Sequence, residues 1–186
     1  MMIDEGFRKN DTGVRLGQLA EALIRLCRCI VGIRLHCEDM SVEQAVRFEL
    51  ERNADALDTV ATEAITARLP ARDVAARFDQ MRKGARELKR IMWLDADGEP
   101  LAVSGDAPGF DAASRNAALL ARQTGNARYS DPRSGATPAL MDFHLPVFRN
   151  GAYAGSLVAT YDLKALLDET VPWWFAKDTA VSLIDS

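Results

Sequence analysis

Asp142 and His144 are the side chains of this chain best equipped for chemistry, and they stand two residues apart. Ala139 to Phe148 reads as an extended run, so that spacing sets both on one face together with Leu140 and Pro146. A carboxylate beside an imidazole can act as an acid/base pair, line a ligand cavity on the concave side of a sheet, or stand on a solvated face. The solvated face is the commonest of these, because an antiparallel sheet readily leaves one side wet. As ligand contacts, His144 would donate to or accept from a small polar molecule, with Asp142 holding its tautomer or meeting an amine. Trp93 and Tyr161 are the candidate aromatic walls, although core packing is the commoner fate of such rings.

Catalysis needs a fuller constellation than two groups. No G-x-S-x-G or H-E-x-x-H sequence occurs, and Gly151 to Gly155 falls inside a hairpin rather than at a strand-to-helix turn, where phosphate is bound. No catalytic residue is therefore assigned, and the chain is not read as an enzyme. Cys27, Cys29, His36 and Cys37 form a second cluster. Zinc sites pair their cysteines at C-x2-4-C spacing, and residues two apart on a helix diverge, so no metal or other cofactor is expected. With all three cysteines at one end, the fold must stand without disulfides.

These groups have to be held by a fold that 186 residues can build around one substantial core. A 48% hydrophobic and 27% charged composition suits an ordered globular chain. The net charge of -4 lacks the basic footprint that nucleic acid requires. Between residues 14 and 35 the apolar residues are interrupted by Arg15, Glu21, Arg25, Arg28 and Arg34. That leaves neither the ~20 apolar residues of a membrane span nor the h-region of a signal peptide. Complete as written, the chain would be cytoplasmic.

Ser41 with Gln44 is a capping-box pattern that opens a helix. Val46, Leu50, Leu57, Val60 or Ala61, and Ala64 then recur at helical spacing until Pro70 ends the pattern. Asn53 lies in this stripe, where a buried Asn can fix the register of paired helices, so a homodimer through Ser41 to Ile65 is expected. A second helix is predicted from Ala71 to Arg82. Ile91 to Leu94, the turn Asp95-Ala96-Asp97-Gly98 and Leu101 to Val103 predict a hairpin. Asp111 caps a helix that runs to about Gln123 and ends near Gly125. Tyr129 to Pro138 is a loop, and Ala139–Phe148, Arg149-Asn150-Gly151 and Ala152–Tyr161 form a second hairpin. A short helix over Leu163 to Leu167 follows, then Trp173 and Trp174 after Pro172, and a last strand over Ala180 to Ile184. This order gives an α+β fold in which the interposed helices cover one face of an antiparallel sheet.

Leu145-Pro146-Val147-Phe148, Asn150-Gly151, Gly155 to Leu163, Leu166-Leu167 and Val171-Pro172-Trp173-Trp174-Phe175 resemble the extracytoplasmic PAS-like sensor region, also called Cache, of bacterial transmembrane histidine kinases. Ser41 to Ile65 resembles the long helix that opens such a region. The resemblance implies a long N-terminal helix followed by a PAS-like antiparallel sheet flanked by helices. It implies a noncatalytic input domain of a two-component receptor, in which a ligand or partner shifts the sheet and the sheet shifts the long helix. It also implies a membrane-anchored parent with a periplasmic sensor. On this reading residues 1–39 are an atypical, helix-like segment in place of an expected membrane helix. Residues 40–176 are the sensor domain, and 177–186 begin a truncated second module. The alternative is a stand-alone cytoplasmic dimerisation module without a small-molecule ligand.

Overall fold

The computed structural model describes residues 39–106, 109–133 and 138–171. The cysteine and His36 cluster, the paired tryptophans and the last expected strand lie outside the described residues. So do most of segment 1–39 and all of 177–186.

Helix α1 spans Asp39–Thr66, its backbone already helical two residues ahead of Ser41. Its stripe of Val46, Leu50, Leu57, Val60, Ala61 and Ala64 is buried against the sheet of the same chain. At roughly 1.5 to 3 kcal/mol for each large apolar side chain removed from water, this stripe is the main attachment of the helix. Asn53 is buried with it, and its Nδ2 donates to Glu87 Oε1 at 2.8 Å. The reading of Asn53 as a register residue between paired helices is thereby corrected: its partner is the chain's own Glu87.

Helix α2 (Ala71–Gly84) follows Pro70, whose fixed φ of -64° suits the residue ahead of a first turn. Strands β1 (Leu88–Leu94) and β2 (Pro100–Gly105) then form the first hairpin. Its turn is closed by Asp95, which accepts from the backbone N–H groups of Asp97 and Glu99, each at 2.9 Å. Helix α3 (Ala112–Thr124) starts where Asp111 accepts from the Ser114 N–H. It ends at Gly125, which takes the left-handed conformation that residue favours.

Strand β3 (Arg128–Tyr129) precedes β4 (Leu140–Arg149) and β5 (Ala152–Asp162). Asn150 and Gly151 join the last pair with φ of 51° and 78°, as a type I′ turn requires. Helix α4 (Leu163–Thr170) is capped by Asp162. The five antiparallel strands lie in the order β2-β1-β5-β4-β3. Two-residue β3 is the strand that the expected loop from Tyr129 to Pro138 concealed. At Gly155 the strands approach so closely that a Cβ would lie 2.0 Å from the Leu94 carbonyl oxygen, so this position admits no side chain.

The main core joins α1, α2 and α4 to one face of the sheet through Phe78, Ile91, Met141, Phe143, Leu145, Leu157, Ala159 and Tyr161. Helix α3 lies on the other face, where Ser114 meets His144. The expectation of helices on a single face is therefore corrected. The opposite face of β4 and β5 is also buried, with Asp142, His144 and Thr160 beside a small apolar cluster of Met92, Leu94 and Val158, and α3 packs against it.

Candidate functional site

Strand alternation builds the site on the α3 face. The register pairs Asp142 with Thr160, His144 with Val158, Arg90 with Thr160 and Met92 with Val158, which brings three strands' outward side chains together. The first turn of α3 adds Ser114, and the segments flanking that helix add Phe110 and Arg133. The enclosure is nearly complete, with Asp142 at 0% and His144 at 1% exposure. The solvated-face reading of this pair is therefore set aside.

Both oxygens of Asp142 are engaged. Oδ1 accepts from Thr160 Oγ1 at 2.6 Å, and Oδ2 accepts from Arg133 Nη2 at 2.6 Å. Arg133 also donates through Nη1 to the Gly109 carbonyl at 2.9 Å, tying the two flanking segments together. Arg90 reaches Thr160 Oγ1 at 3.5 Å and lies under Phe110, with 5.0 Å between the guanidinium carbon and the ring centroid. Burial lowers the Arg90 pKa, Asp142 opposes the shift, Arg133 reinforces it and Asp106 opposes it.

His144 packs its ring against Phe110 with centroids 5.7 Å apart, and its Nε2 lies 3.0 Å from Ser114 Oγ. Its Nδ1 is buried and has no hydrogen-bond partner among the described residues. Burial drives the imidazole pKa down to about 4, against the pull of Asp142 and with the push of Arg133. The ring is thus neutral at pH 7. A serine this close to an imidazole could be half of a nucleophilic pair. Here Ser114 is fully buried and the Asp142 oxygens serve Arg133 and Thr160, so among the described residues no third group orients the imidazole as a base. No group of three or more His, Cys, Asp or Glu residues among the described residues could hold a metal.

Of the four expected ligand contacts, the fold brings together Asp142 and His144. Trp93 and Tyr161 belong to the opposite face: Trp93 packs half-buried on the main core opposite Leu157, and Tyr161 is fully buried opposite Met141. Their expected role as aromatic walls beside Asp142 and His144 is corrected by odd-even alternation along β1 and β5. Tyr161 instead sits near Tyr129, ring centroids 6.3 Å apart, and burial raises both phenol pKa values far above the ordinary range. Sequence reasoning missed Arg90, Phe110, Ser114, Arg133 and Thr160. Arg90 carried a signal, a cation immediately ahead of the apolar run Ile91 to Leu94.

A family model described as a bacterial protein of unknown function (DUF885) matches residues 1–69. The C4-dicarboxylate transport sensor protein DctS of Rhodobacter capsulatus is 28% identical over 153 residues, covering 82% of this chain and 22% of that protein. The chain thus spans about a fifth of the curated relative it matches. Among solved structures, the ligand-binding domain of the Pseudomonas fluorescens chemoreceptor CtaA in complex with L-alanine superposes with a TM-score of 0.53 at 17% identity, over 70% of this chain and 60% of that one. The extracellular domain of the putative histidine kinase mmHK1S-Z2 superposes with a TM-score of 0.50 at 15% identity, over 68% and 59%. Among the described residues no helix is long and apolar enough to cross a membrane. The fold is thus similar to that of ligand-binding domains of chemoreceptors and the extracellular domain of a histidine kinase.

Proposed function

We propose that this chain is a noncatalytic input domain of a two-component, histidine-kinase-type receptor, and that it binds a small organic acid on the α3 face of its sheet. The observation that carries this reading is the enclosure of two guanidiniums, Arg90 and Arg133, with one carboxylate and a neutral imidazole. A guanidinium fork matches a carboxylate in shape and charge, which favours an organic acid as the guest. The carboxylate of an incoming acid would take over contacts that Phe110 and the Gly109 carbonyl now make with these arginines.

CtaA is bound to the amino acid L-alanine, whereas the name of DctS points to C4-dicarboxylates. The second class fits these residues better, because Asp142 has both oxygens engaged and offers no easy seat for an ammonium group. We assign residues 40–176 to the sensor domain, with 1–39 in place of a membrane helix and 177–186 opening a second module. The parent receptor would be membrane-anchored with this domain outside the cytoplasm. The stripe of α1 is spent on the chain's own core, so a homodimer through Ser41 to Ile65 would use the outer face, where Phe48 is 63% exposed.

Thermal unfolding with fumarate, succinate, malate, L-alanine and 4-aminobutyrate at about 10 mM tests the binding reading. A ligand at a hundred times its Kd adds about 2.7 kcal/mol of stability, or roughly 5 to 10 °C in a domain of this size. We expect that rise with a dicarboxylate and its loss in Arg90→Met. Failure of every acid to raise the midpoint would refute the reading.

A further inference from the structure

Two buried polar atoms without a hydrogen-bond partner among the described residues belong to paired positions of the sheet: His144 Nδ1 on β4 and Arg128 Nε on β3. Arg128 and His144 are register partners, which puts their side chains on one face with Cβ atoms about 5 Å apart. A buried polar atom without a partner costs roughly 1 to 3 kcal/mol, so a pair of them marks a place where an acceptor is missing. We propose that His144 is the residue through which this site reads its ligand's charge: a carboxylate settles against His144 Nδ1 and Arg128, and the imidazole takes up a proton from solvent as it does so. The inference rests on the organic-acid reading above and adds to it the contact residue and a proton.

The hydrogen bonds of the ring allow this uptake without rearrangement. Ser114 Oγ stands 3.0 Å from Nε2 and, as a hydroxyl, can donate to the neutral ring or accept from the charged one. Once Nε2–H donates to Ser114, the second N–H of an imidazolium has only Nδ1 from which to point, and there it needs an anion. In the empty site the balance runs the other way. Asp142, on the same strand, favours the proton but is already neutralised by Arg133. Arg133 and burial oppose it, and Arg90 and Arg128 are further cations on that face. On α3, Asp111 is occupied as the helix cap, and the exposed Arg115 is turned to the Phe110 carbonyl. Asp106 acts on Arg90. An arriving carboxylate is the group that tips this set toward the imidazolium.

The linkage has a definite sign. If the empty site holds a neutral ring and the filled site a charged one, affinity rises as pH falls, by up to tenfold for each pH unit between the two midpoints. Fumarate is the probe, since both its carboxyls stay ionised between about pH 5.5 and 8. The chain has two histidines, His36 and His144, so labelled imidazole resonances can be assigned with a His36→Gln variant and followed in the unaltered protein. We expect His144 to remain neutral across that range when empty and to become charged when saturated. Kd should fall by about tenfold or more from the top of the range to the bottom, and His144→Gln should flatten that slope. Fumarate binding at one affinity throughout, with a neutral ring in both states, overturns this inference and leaves the acid site standing. No binding by fumarate or the other acids at any pH removes the site and the inference together.

Discussion

Replacing Asp142 with Asn alters little in volume and removes one buried charge. The carboxylate is 0% exposed and its partner Arg133 is 7% exposed, at 2.6 Å. With charge centres about 4 Å apart and an effective dielectric constant near 20, the attraction is about 4 kcal/mol. Buried pairs broken on one side lose about 3 to 5 kcal/mol, which agrees. The Asn carbonyl can still accept from Thr160, so the loss is confined to the Arg133 side, where an amide N–H would face a guanidinium N–H. We expect Asp142→Asn to lower unfolding free energy by about 3 kcal/mol out of a total of roughly 5 to 15 kcal/mol. The midpoint should drop by about 10 °C, measured by circular dichroism in thermal and urea unfolding. The double variant Asp142→Leu with Arg133→Met should recover most of the loss, because an apolar pair of similar volume is often as stable as the ions. A loss below about 1 kcal/mol in Asp142→Asn would refute the claim that this pair is dry and held together by charge.

Two further outcomes follow from the same packing. His144 titrates near 4 when folded and near 6.5 when unfolded, so the unfolded chain binds the extra proton between those values. Stability should be full above about pH 6.5 and fall by roughly 3 kcal/mol on descending to pH 4, a loss that His144→Gln abolishes; denaturant midpoints against pH give the measurement. Asn53→Ala removes the amide that donates to Glu87 and leaves a carboxylate 4% exposed beneath α1, at an expected cost of about 2 kcal/mol. A double-mutant cycle with Glu87→Gln measures the coupling, and a value near zero would show that Glu87 finds another donor.

The elements announced themselves through local chemistry. Asn150-Gly151, the Asx turn at Asp95, the Asp111 cap and the left-handed Gly125 are set by a few adjacent atoms and can be read without knowing the fold. The stripe of α1 was equally legible, yet its partner was not. An apolar face at helical spacing says that something covers it, and only the tertiary arrangement decides between a second copy and the sheet of the same chain. The site was half legible for the same reason. Asp142 and His144 share a strand, so period two places them together. Arg90, Ser114 and Arg133 come from a non-adjacent strand, a helix start and a loop, and strand order alone brings them to that pair. Tyr161 and Trp93 were misplaced because a residue type suggests what a side chain can do, whereas the parity of its position decides which face it occupies.

That parity also sets which residues lie between the site and α1. Thr160 holds Asp142 on the α3 face, and the next residue, Tyr161, packs in the core beneath α1. Arg90 faces the site, while Glu87, just upstream on the same segment, receives Asn53 of α1 through its side chain and the Asp162 N–H through its backbone carbonyl at 2.7 Å. Between Glu87 and Arg90 the register of β1 against β5 shifts, so this stretch is an irregularity in the ladder rather than a continuous run of paired residues. Arg90 is therefore a short covalent path away from Glu87, a polar anchor of α1. Apolar side chains of the α1 stripe tolerate sliding better than a directional hydrogen bond between two buried polar groups does. The Asn53–Glu87 bond thus ties α1 to the segment that carries Arg90.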